Sequence, residues 1–238
     1  MAVLRKEMAI PLVMAGKIFK IREEISLEAI ASKLKNFRKE ENYPVGDKSI
    51  PLLTEIRDLG FRTHGLIGTF SQDRVISLYR RGEIVPTIKT IEAPILFSNY
   101  GDMLLLTIIG KKWTANNIAS QLQEILLLRP GAIVEGRIAP ETLKRFHEEN
   151  PAGTKVIFFD DVDIPDVNKL SFYGSALINS SLYNDYLKHG KIWYVVVTSR
   201  KGYVVGLTRN SVVTVFSRVD EGEFLDYTVD EVFPLISP

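Results

Sequence analysis

The sequence predicts an α+β protein: antiparallel β-meanders with packed helices, arranged as two related α+β halves. Three observations predict it. Strand-like runs cluster near residues 64–109 and 192–217 instead of alternating strictly with helices. Apolar residues outside those clusters recur at helical spacing. The chain has 238 residues, 45% hydrophobic and 25% charged, so it can bury a sizeable core without staples.

Residues 12–19 fit a strand or a helix, and Gly16 weakens either. Ser26 ahead of Leu27, Ile30, Ala31, Leu34 and Phe37 predicts a capped amphipathic helix. A polar loop with Pro44 and Gly46 spans residues 39–47. Leu52, Leu53, Ile56 and Leu59 lie between Pro51 and Gly60 and predict a second short helix. From Phe61 the period becomes two. Strands are expected near 64–70, 74–80, 83–91, 94–98 and 103–109, parted by turns at Gln72-Asp73, Arg81-Gly82 and Tyr100-Gly101-Asp102.

Thr114 caps the clearest helix, whose face is Ile118, Ala119, Leu122, Ile125 and Leu126; Pro130-Gly131 ends it. A strand over 132–137, a helix opened by Pro140 and closed before Pro151, and a strand over 155–159 follow. Beyond an acidic loop, a helix over 181–188 stops at Gly190. Strands at 192–198, 203–208 and 212–217 turn at Arg200-Lys201-Gly202 and Arg209-Asn210, and residues 224–232 form a last helix. Aligning Ser71 with Ser199 places Arg81-Gly82 on Arg209-Asn210, which suggests the two related halves. The expected domains are 1–130 and 131–238, joined between residues 128 and 153.

The absence of cysteine excludes disulfides, thiol nucleophiles and cysteine-ligated metal centres, and it suits a cytoplasmic protein. Few glutamines (Gln72, Gln121 and Gln123) beside many charged residues is a bias seen in thermophiles. No apolar stretch reaches about 18 residues, so no membrane span is expected. Residues 8–15 are broken by Pro11 and followed by Lys17, Lys20 and Arg22, unlike a signal peptide. Thirty basic residues balance 29 acidic ones. There is no P-loop, no G-x-G-x-x-G and no G-x-S-x-G elbow. His64, His147 and His189 do not stand at ligand spacing, and no cofactor is expected.

Three functions follow from the remaining signals. The first is an intracellular binding or regulatory protein whose N-terminal region contacts nucleic acid. Here SLEAIASKL resembles the second helix of winged-helix domains, and SIPLLTEIRDLGF resembles the third, within residues 26–70. The resemblance implies duplex DNA binding, and Lys33, Lys35, Arg38, Lys39, Lys48 and Arg57 are the candidate contacts. Trp193, Tyr194 and Tyr203 offer a separate stacking face for RNA, or a sheet core. The second function is a metal-dependent phosphoester enzyme. Asp160, Asp161, Asp163 and Asp166 crowd the 160–166 loop, and Asp160, Asp161 and Asp163 are the candidate ligands for magnesium or manganese. The loop lacks the glycine and distal glutamate of a calcium loop. The third is a protein-interaction module without catalysis, homo-oligomeric through exposed strand edges.

Overall fold

The computed structural model describes residues 13–45, 48–150, 153–175 and 177–238. Its strands are β1 (Met14–Ile21), β2 (Arg38–Val45), β3 (Lys48–Arg62), β4 (Gly65–Arg80), β5 (Glu83–Tyr100), β6 (Met103–Ile109), β7 (Ile133–Glu135), β8 (Thr154–Asp160), β9 (Leu170–Tyr173), β10 (Lys191–Thr198), β11 (Val204–Thr208) and β12 (Val212–Val215). The α-helices are α1 (Leu27–Leu34), α2 (Lys112–Ile125), α3 (Pro140–Glu148), α4 (Ser181–His189) and α5 (Glu221–Tyr227).

This corrects the expected α+β class. Strand accounts for 46% of the described residues and helix for 27%, so the protein is mostly antiparallel sheet with a few short helices. Much of the difference lies in residues 38–62. The expected polar loop is β2, and the expected second helix is the middle of β3. Leu52, Thr54 and Ile56 share a strand face as readily as Leu52, Ile56 and Leu59 share a helix face. Pairing decides between them, because β3 is bonded to β2 on one side and to β4 on the other. The stretch that resembles a winged-helix third helix is therefore strand.

The Gln72-Asp73 turn does not form either. β4 runs unbroken through it and pairs with an equally unbroken β5. Arg81 and Gly82 close this hairpin with φ of 50° and 88°, the left-handed pair a type I′ turn requires. The expected duplication also fails. Ser71 lies inside β4, whereas Ser199 starts a turn in which its carbonyl accepts from Gly202 N–H.

The chain divides into two compact units. Phe19–Val134 forms one; Met1–Ile18 joins Glu135–Pro238 in the other. In the first, strands follow the order β2-β3-β4-β5-β6. One sheet face meets α1 and α2, and Phe70, Ile95, Phe97, Leu106 and Ile108 pack there with Ile30, Leu34, Ile118 and Leu122. Ser26 caps α1 as expected, accepting from Ala29 N–H at 3.1 Å. α2 begins earlier than Thr114: Lys111 holds the N-cap position without a side-chain bond.

In the second unit β1 pairs with β12, and the order continues β11-β10-β8-β9. Ile157, Phe159, Val195, Val197, Val205, Leu207, Val213 and Val215 are buried in it. The strand-or-helix question at the chain's start resolves as strand from Met14; Leu12 lies outside the described residues. Among the described residues no helix is long and apolar enough to cross a membrane.

Candidate nucleic-acid interface

The most organised polar cluster lies where α2 crosses β4. Along α2, Trp113, Asn117 and Gln121 recur every fourth residue and form a stripe away from the buried Ile118, Ala119 and Leu122. On β4, Gln72 and Arg74 alternate onto the face that α2 covers. Gln72 and Gln121 exchange amide hydrogen bonds at 2.7 and 3.1 Å. Gln121 also donates to Asn117 at 3.0 Å. Arg74 donates from Nε to Gln72 at 3.0 Å and from Nη2 to Asn117 at 2.9 Å. Its guanidinium carbon stands 5.2 Å from the centre of the Trp113 ring, and Trp113 is 66% exposed.

The arrangement fixes an arginine without neutralising it. Among the described residues its side-chain hydrogen-bond partners are neutral amides. Lys89 sits directly opposite Arg74 on β5 and therefore on the same face. Like charges paired across strands repel, so a structural role for this pair costs stability. Lys111 and Lys112 precede Trp113 at the start of α2, where uncapped backbone N–H groups add positive potential. None of these four cations joins an ion pair among the described residues.

The residues chosen from sequence are dispersed. Lys33 donates its ammonium to the Leu126 carbonyl, and Lys35 is the C-cap of α1. Arg38 pairs in register with Glu55, and Lys39 with Thr54, so the two point to opposite faces. Lys39 meets Glu41 at 2.7 Å, while Arg57 meets Glu92 and Glu55. Lys48 opens β3. The structure brings Arg38 and Arg57 to one face and leaves Lys33, Lys35 and Lys39 apart from them.

The acidic loop's carboxylates meet basic side chains of the same protein. Arg209, in the turn after β11, grips both oxygens of Asp160 at 3.0 and 2.8 Å. Asp161 faces Arg209 at 3.7 Å and Lys191 at 3.8 Å, and Asp163 meets His189 at 2.8 Å. Asp161 and Asp166 adopt φ of 51° and 64°, conformations suited to turns. Among the described residues no group of three or more aspartate, glutamate or histidine side chains is placed to hold a metal. The aromatics of β10 pack with their neighbours: Trp193 and Tyr194 lie against Phe158, with Lys169 over the Trp193 ring.

Sequence reasoning missed Arg74 and Trp113. Arg74 follows the expected Gln72-Asp73 turn, and of its two partners Gln72 lies on the same strand while Asn117 lies some forty residues away on α2. A usable signal was present in the Trp113, Asn117, Gln121 stripe. It puts an aromatic and two amides on the polar side of an amphipathic helix.

Fold and site together define an antiparallel-sheet protein with a cationic, aromatic ledge. Compared with known proteins, the chain matches no family model and none of the curated proteins.

Proposed function

We propose that this protein binds single-stranded nucleic acid along the ledge formed by α2 and the β4–β5 hairpin. The observation that carries the reading is Arg74, held in place by amides, without a carboxylate partner among the described residues, and stacked on the exposed Trp113. Arg74, Lys89, Lys111 and Lys112 take phosphates, as unpaired cations do along a polyanion. Trp113 offers its open ring face to an unpaired base, a contact worth about 1–3 kcal/mol and tolerant of sequence. A duplex keeps its bases stacked inside, so the indole gives single strands the advantage. This reading places the protein in the cytoplasm, as a binding protein without catalysis of its own.

The test is fluorescence anisotropy with a labelled single-stranded oligonucleotide at increasing salt. Four phosphate contacts predict that log K falls against log salt with a slope of about −3. The double variant Arg74→Ala, Lys89→Ala should reduce that slope to roughly half and weaken binding to all sequences alike. Absence of binding at low salt, or a double variant that binds like the parent, overturns the proposal.

A further inference from the structure

We infer that the β4–β5 hairpin is a self-association surface, docking face to face on the same hairpin of a second copy. The inference goes beyond the proposed function and uses the sheet face opposite Arg74 and Lys89.

Among the described residues, the hairpin beyond Asp73 is a two-stranded ribbon. The ladder from β3 ends at the pair of Thr54 with Gln72, and the ladder from β6 ends at Ile95. From Asp73 to Arg81 it projects about 27 Å at the rise of an antiparallel strand. Two-stranded ribbons are marginal in water unless a face is covered. Register places Val75 against Ile88, Ser77 against Pro86 and Tyr79 against Ile84, all on the face away from α2. Tyr79 is 78% and Ile84 72% exposed. Large apolar side chains clustered in solvent mark an interaction surface.

A second copy fits this face because the pattern is self-complementary. A two-fold axis crossing the strands at Ser77 and Pro86 stacks the ribbons antiparallel, at the spacing of about 10 Å between packed sheets. Tyr79 then lies over Val75 of the partner subunit, large against small. Ile84 lies over Ile88 of the partner subunit, and the centre is filled by the compact Ser77 and Pro86. The same operation carries the Arg81 turn over Asp73 of the partner subunit, four residues on either side of Ser77. Arg81 and Asp73 have no ion-pair partner within one chain among the described residues. Asp73 is held for the purpose, accepting from Leu53 N–H and the Thr90 hydroxyl.

A face about 27 Å long and about 10 Å wide buries roughly 500–600 Å² over two copies, the size of a weak and reversible contact. Pro86 favours stacking over edge pairing. It belongs to a pair whose backbone groups point outward, counted from the turn, so its missing N–H interrupts the free edge of β5.

The experiment is sedimentation velocity of the full chain, free of nucleic acid, over about a hundredfold range of concentration. The parent should shift from monomer towards dimer as concentration rises. Ile84→Asp, at an exposed position that folding does not need, should remain monomeric throughout. Arg81→Asp alone and Asp73→Arg alone should each weaken the dimer, and mixing the two should restore it as a heterodimer. Should Asp73→Arg fail to fold, Ile84→Asp and Arg81→Asp carry the test. A parent that is monomeric at every concentration, or a dimer untouched by Ile84→Asp, overturns the inference. Single charge variants that dimerise like the parent overturn the antiparallel register. Nucleic-acid binding is read separately, so either proposal can fail without the other.

Discussion

His147 should make the unit that contains it lose stability in mild acid. The side chain is fully buried on α3. Its Nε2 lies 2.8 Å from the Tyr183 hydroxyl, and that hydroxyl donates its hydrogen to Glu148 at 2.9 Å. The imidazole must therefore carry its own hydrogen on Nε2, which leaves Nδ1 bare and without a partner among the described residues. A second proton would create a buried N–H with nothing to accept it. Burial pushes the pKa down to about 4, although the Glu148 charge pulls the other way. In the unfolded chain the group titrates near 6.5. Between those values the unfolded chain binds a proton that the folded chain refuses, so stability falls as pH drops through this window. A gap of about 2.5 pH units corresponds to roughly 3 kcal/mol. His147→Phe keeps a ring in place and removes the proton site. Urea unfolding of parent and variant between about pH 7 and about pH 4 should show the parent losing this increment and the variant keeping it. Parallel loss in both proteins, or an imidazole NMR titration midpoint near the ordinary histidine value, would refute the reasoning.

Other perturbations test the remaining structure. Leu122 is fully buried between α2 and the sheet, so Leu122→Ala should cost about 2–5 kcal/mol; an unchanged melting temperature would contradict that packing. Asp160→Asn removes half of a partly buried bidentate pair with Arg209, and chemical denaturation should show a loss of about 1–3 kcal/mol. Millimolar magnesium or manganese should leave the parent's melting temperature unchanged, because both Asp160 oxygens are already bonded; a clear rise would restore the metal reading.

Local rules were legible where one residue type does one job. Ser26 announced the start of α1, Arg81-Gly82 announced the hairpin, and Ile118 and Leu122 announced the buried face of α2. The rules failed where two periods fit the same letters. Residues 52–59 satisfy a helix and a strand alike, and neighbours distant in sequence supplied the decision. Charge was the least legible property. Lys39 and Arg57 read as available cations in the sequence, but Glu41 and Glu92 lie beside them in the fold. Asp160 and Asp161 crowd together in sequence, and the side chain that meets both is Arg209, far along the chain. The ledge escaped for the same reason, since the Gln72–Gln121 bonds that orient Arg74 join elements with no local relation.

The claim that Trp113 stacks on an unpaired base is tested most directly by its own fluorescence. The chain has two tryptophans, so Trp193→Phe leaves Trp113 as the sole indole reporter. Titration with a short single-stranded oligothymidylate at low salt should quench that emission, and added salt should restore it as the phosphates are released. The same titration with a blunt duplex should quench it less. Emission that stays constant through saturating single strand would contradict the account.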